Sequence, residues 1–121
     1  MNIGIDFDNT IVRYDRLFKK VAIEGRFISE SWNGRGKTEL RNHLQRLPGG
    51  EKTWMELQGL VYGKYIHAAE MMPGVANFLL SCSVRNHRVF IVSHKTEYGH
   101  YDAEKIPLRD EALKWMEARR F

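Results

Sequence analysis

The chain has 121 residues, of which 43% are hydrophobic, 28% charged and 12% aromatic, with a net charge of +4 at neutral pH. This is the composition of one ordinary globular domain, not of a disordered chain, and no apolar run approaches the ~18 residues of a membrane span. The bases are scattered, with Lys19-Lys20 and Arg119-Arg120 as the only adjacent pairs, so no stripe for tracking a nucleic acid is expected.

The single cysteine, Cys82, has no disulfide partner in the chain. Strand-like sequence begins at once, without a charged-then-apolar leader. Both features set a cytoplasmic location as the expectation.

In chain order, Ile3, Ile5 and Phe7 alternate with Gly4 and Asp6 and predict a short strand. Asp8-Asn9-Thr10 forms a polar turn before Ile11-Val12. Leu17, Phe18, Val21 and Ala22 have helical spacing and predict a helix over 14–23. Residues 29–37, with Asn33-Gly34-Arg35-Gly36, read as a loop. Its glycines and bases do not make a P-loop, because no strand precedes them. Trp32 is a candidate pocket residue near this loop. Thr38 is the expected N-cap of a helix through Leu40, Leu44 and Leu47, stopped by Pro48-Gly49-Gly50.

Trp54, Leu57, Val61 and Tyr65 recur at three- and four-residue steps and predict a helix over 51–70, with Trp54 on its core face. Gly74-Val75 opens a further helix carrying Phe78, Leu79 and Leu80. Arg88 to Ser93 is a continuous apolar run of the kind found in a buried parallel strand. His94 to Asp102 is a polar, aromatic loop, and a last helix over 108–119 turns Leu108, Ala112, Trp115 and Met116 inward.

Strand, helical block, helix, strand, helix is the α/β pattern, with parallel strands joined by a right-handed crossover. The expected organisation is a core of residues 1–12 and 73–121, with a helical insertion of residues 13–72 after the first strand.

In such sheets ligands bind at the carboxyl ends of the strands. Asp6 and Asp8 end the first strand and Ser93 ends the second. Residues two apart on extended backbone point to one side, so both carboxylates can face one reacting centre. One carboxylate can attack while the other moves protons. Their mutual repulsion calls for a cation, and Mg²⁺ favours such oxygen ligands together with substrate phosphate. The competing reading is a plain Asp-Asn turn, with Asp8 closing the loop.

Asp6-Phe7-Asp8-Asn9-Thr10 resembles motif I, D-x-D-x-[TV], of the haloacid dehalogenase (HAD) superfamily of phosphohydrolases. Phe90-Ile91-Val92-Ser93 resembles its motif II, a strand ending in Ser or Thr. Met72-Pro73-Gly74-Val75 resembles the Pro-Gly-Val that opens the helix before motif II. The resemblance implies a HAD-like Rossmannoid core with an inserted helical cap. It implies that Asp6 is the nucleophile, that Asp8 is the general acid and then the base, that Thr10 steadies the loop, and that Ser93 binds the phosphoryl group. It places Mg²⁺ on the Asp6 carboxylate and the Asp8 backbone carbonyl.

The pattern is incomplete beyond motif II. Only 28 residues follow Ser93, and neither a motif III base nor a motif IV acidic pair on a further strand is recognisable among them. Asp102, Glu104, Asp110 and Glu111 do not end an apolar strand. Lys95 is the local candidate for the positive charge and His94 a candidate substrate contact. The loop histidines have no cysteine partner, so no zinc site is expected. A first strand without its neighbour is an apolar edge. Either a longer protein, of which this chain is a truncated part, or a homo-oligomer is expected to cover it.

The leading expectation is a Mg²⁺-dependent phosphohydrolase of a small phosphorylated metabolite, acting through an aspartyl-phosphate. The alternative is a non-catalytic module that binds a phosphorylated ligand or a partner chain. Neither a nucleic acid nor a membrane is an expected partner.

Overall fold

The computed structural model describes residues 1–93 and 104–119. Its elements in order are β1 (Asn2–Asp6), β2 (Val12–Arg13), α1 (Asp15–Glu24), α2 (Gly36–Gln45), α3 (Gly50–Tyr62), a 3₁₀ turn (Ile66–Ala68), β3 (Glu70–Met71), α4 (Val75–Val84), β4 (Arg88–Val92) and α5 (Leu108–Ala118). The chain is mixed α/β, and it divides into two compact units. One takes Met1–Arg13 and the stretch from Glu70 through β4; the other takes Tyr14–Ala69 and α5. None of the described helices is long and apolar enough to cross a membrane.

In the first unit β1 and β4 form a two-stranded parallel sheet. Its register pairs Asn2 with Arg88, Ile3 with Val89, Gly4 with Phe90, Ile5 with Ile91 and Asp6 with Val92. The crossover between the strands ends in α4, which packs on β4. Gly74 starts α4 from a left-handed conformation, φ 87°, which a residue with a Cβ adopts only under strain. A second pairing, antiparallel, joins Val12 to Met71 and Arg13 to Glu70. The Met72 amide donates to the Ile11 carbonyl at 2.7 Å and extends it.

The β4 run is parallel, as its sequence predicts, but it is not buried on both faces. Val89 and Ile91 are half-buried, while Phe90 is 50% and Val92 63% exposed. In α4 only Cys82 is fully buried, and Phe78 and Leu80 stand exposed. The apolar residues of this unit outnumber the surfaces that two strands and one helix can cover. That follows from the poor surface-to-volume ratio of so small a sheet.

The second unit is built on aromatic packing. The spacing of Leu17, Phe18, Val21 and Ala22 puts all four on the buried face of α1. Phe18 stacks on Trp54 of α3, with ring centroids 5.3 Å apart and planes at 19°. Tyr62 meets Tyr14 and Phe18 edge-on at 5.0 and 5.7 Å. Such pairs add about 0.5–1.5 kcal/mol each beyond area burial. Lys37 Nζ donates to the Tyr62 hydroxyl at 2.7 Å and lies 5.4 Å from the centroids of both Phe18 and Tyr62. Leu40 and Leu44 of α2 and Leu57 and Val61 of α3 complete the core.

The bounds of two helices differ from the sequence expectation. Thr38 is not the N-cap: α2 begins at Gly36 with Arg35 as cap. The Arg35 amide donates to the Glu39 carboxylate and the Lys37 amide to Asp15 Oδ1 at 3.2 Å, so two carboxylates meet a helix start three residues earlier than a Thr38 cap would give. That helix ends at Gln45, leaving Leu47 exposed.

The helix expected over 51–70 stops at Tyr62. The backbone turns at Gly63 (φ −108°, ψ −96°), and Tyr65 caps a separate 3₁₀ segment that buries Ile66. The apolar period of Trp54, Leu57 and Val61 therefore does not continue through Tyr65 on one helix.

The last helix groups with the helices of Tyr14–Ala69 in the second unit. Trp115 Nε1 donates to the Ala69 carbonyl at 3.0 Å, and Arg119 Nη2 donates to the same oxygen at 2.8 Å. The Arg119 guanidinium also covers the Trp115 ring at 4.0 Å. Burial there pulls Arg119 below its ordinary pKa.

Candidate functional site

The candidate site lies at the carboxyl-terminal edge of the β1/β4 sheet. Asp6 is the last residue of β1 and is paired with Val92, so Ser93 follows directly at the same edge on the neighbouring strand. Adjacent parallel strands are what convergence of these residues requires, and the register supplies them. Asp6 and Ser93 are both exposed, and Asp8 is half-buried. Between the two carboxylates Phe7 is buried, 1% exposed. This keeps the alternation of facing beyond the end of the strand.

The turn after β1 is closed by its own backbone. The Phe7 carbonyl accepts the amides of Thr10 at 3.4 Å, Ile11 at 2.9 Å and Val12 at 3.1 Å. The Asn9 amide donates to the Val12 carbonyl at 2.9 Å. Asn9 takes a left-handed conformation, φ 60°, which Asn tolerates better than most residues. Asp8 bridges to Val12. The Phe7 amide donates to Asp6 Oδ1 at 2.8 Å, which fixes one carboxylate oxygen at the strand end. Thr10 is exposed on this loop.

Phe7 is the residue that sequence reasoning passed over. Its amide orients Asp6 and its carbonyl gathers the loop. No side-chain signal marks that role, because both groups belong to the main chain.

Of the predicted site residues, Asp6, Asp8, Thr10 and Ser93 are placed by one sheet edge and one turn. His94 and Lys95 lie outside the described residues, as does most of the loop that contains them. Among the described residues no three His, Cys, Asp or Glu side chains gather as a metal-holding group. Two carboxylates on hard oxygen donors match Mg²⁺, which commonly uses one or two carboxylates and takes its remaining ligands from water and substrate phosphate.

The loop residues and the two tryptophans singled out in the sequence lie in the helical unit. The amino end of α2, where the Asn33–Lys37 glycines and bases lie, is already met by the Asp15 and Glu39 carboxylates. Trp54 is a core residue, 4% exposed, against Phe18. Trp32 is half-buried between His43, 5.6 Å from its ring, and Lys19, 5.7 Å away.

Compared with protein families, curated proteins and solved structures, the chain matches none.

Proposed function

We propose that the β1/β4 edge is a phosphoryl-transfer site and that the chain has HAD-like chemistry, with the helical unit as a cap. The observation that carries this reading is the register of Asp6 on Val92, which brings Asp6 and Ser93 to one sheet edge.

In this reading the Phe7 amide holds Asp6 Oδ1, and Oδ2 attacks the phosphorus of a small phosphate monoester. The Oδ2–P bond forms as the ester P–O bond breaks. The Asp8 carboxyl gives its proton to the leaving alkoxide. The Asp8 carboxylate then takes a proton from water attacking the aspartyl-phosphate, and the Oδ2–P bond breaks to release phosphate. Ser93 donates its hydroxyl hydrogen to a phosphoryl oxygen, and Thr10 steadies the turn. The Asp6 carboxylate and the Asp8 carbonyl would hold Mg²⁺, whose charge offsets that of the phosphoryl group and the carboxylates. His94 and Lys95 remain candidates for substrate contact and added positive charge.

A second reading is a non-catalytic module that binds a phosphorylated ligand or a partner chain. It is favoured by the exposed apolar surface of the first unit.

The test is Mg²⁺-dependent hydrolysis of a chromogenic phosphate monoester by the whole chain, with Asp6→Asn in parallel. Turnover that needs Mg²⁺ and is lost in the variant supports the enzyme. A folded protein without turnover that still binds inorganic phosphate supports the module.

A further inference from the structure

The exposed face of the two-stranded sheet carries an ordered charge pattern. Exposure alternates along both strands, and the register pairs exposed with exposed: Asn2 with Arg88, Gly4 with Phe90, Asp6 with Val92. The face therefore has a cation, Arg88, at the amino end and an anion, Asp6, at the carboxyl end. Between them lie Phe90 and Val92, exposed by 50% and 63%. Gly4 adds no side chain to this stretch, and Val92 Cγ2 comes within 3.3 Å of where a Gly4 Cβ would stand. Sheets of parallel strands are ordinarily covered on both faces. Here α4 packs on β4, and Phe90 and Val92 on the opposite face stay exposed.

We propose that this face docks on the same face of a second copy of the chain, with the strands of the two sheets antiparallel. A two-fold rotation then lays β4 over β4, sets Arg88 of each copy one strand to the side of Asp6 of the other, within reach of its long side chain, and brings the Phe90 and Val92 surfaces together. The pattern selects a second copy because it is its own complement: opposite charges meet at both ends and apolar side chains meet in the middle. The proposal uses Asp6 only for its charge and does not rest on the phosphohydrolase reading. Five residues on each of two strands offer far less than the ~800 Å² per partner of a standard stable interface, so the dimer is weak and forms with rising concentration.

Sedimentation equilibrium of the whole chain from ~10 µM to ~1 mM reads this directly. The expected result is a mass that climbs from one chain toward two. Asp6→Arg and Arg88→Asp should each weaken association by about tenfold, because each removes both symmetric charge pairs and opposes like charges. The double variant should recover to within about threefold of the parent. Phe90→Asp should remain monomeric, and Val92→Asp provides the same reading if circular dichroism shows that Phe90→Asp fails to fold. A parent chain that is monomeric throughout overturns the proposal. So does a double reversal as weak as its single variants, or a folded Phe90→Asp that associates like the parent.

Discussion

Asp6 is paired with Val92 across the parallel ladder, and its Oδ1 accepts the amide of the next residue, Phe7. One carboxylate oxygen is thus tied to backbone while the residue stays exposed at the strand end. In the proposed chemistry Asp6→Asn keeps that hydrogen bond through the amide oxygen but loses the nucleophile. Turnover should fall by at least about 10³-fold with the melting temperature little changed. An Asp6→Asn variant with near-parent turnover would remove Asp6 from the mechanism.

Ser93 follows Val92 at the same edge. Its hydroxyl is proposed to meet the phosphoryl group as charge develops there, so Ser93→Ala should lower kcat by about 10- to 100-fold, with Thr at this position restoring most of it. Steady-state kinetics of the Ala and Thr variants measure this. Equal loss in both would deny the hydroxyl its role.

Asn9 holds the turn in a left-handed conformation. Asn9→Val should destabilise the fold by about 1–2 kcal/mol, because a β-branched side chain clashes with its own backbone there. Asn9→Gly should stay within about 0.5 kcal/mol of the parent. Urea denaturation of the pair separates backbone strain from loss of the side chain.

At Gly50 a Cβ would overlap the carbonyl oxygen of Leu44, where α2 and α3 meet. Backbone cannot yield as a side chain does, so Gly50→Ala is expected to cost at least about 2 kcal/mol. A thermal midpoint within a degree of the parent would show that the two helices can separate without loss.

The Ala69 carbonyl receives both Trp115 Nε1 and Arg119 Nη2. Trp115→Phe keeps most of the buried ring and removes one donor, for about 1 kcal/mol or slightly more. Arg119→Met removes the other donor and the cation over the ring. A double-mutant cycle of denaturation free energies should show coupling of about 0.5 kcal/mol or more, because both groups share one oxygen. Strict additivity would mean that each anchors α5 independently.

Much of the fold was legible from local pattern. The alternation of Ile3 and Ile5 marks β1, the four-residue face of Leu17 to Ala22 marks α1, and the apolar run from Val89 to Val92 marks β4. Asp6 and Ser93 were legible as strand-end residues for the same reason. The closing of the turn on the Phe7 carbonyl was not, because main-chain hydrogen bonds leave no trace in residue type. The early start of α2 depends on Asp15, 22 residues before the amide that it accepts. No window around Thr38 contains that partner.

The sequence by itself determined the order and type of the main elements, because period and turn chemistry act over a few residues. It also placed Asp6 and Ser93 at strand ends, whereas Asp8 falls in the turn beyond β1. Tertiary structure decided that β1 and β4 are neighbours in a register that sets Asp6 against Val92, that α3 ends at Tyr62, and that α5 is held by Ala69 with the helices. It also left Phe90 and Val92 exposed. These outcomes rest on contacts between residues tens of positions apart, where the energy of packing and hydrogen bonding is shared by partners that no local stretch contains.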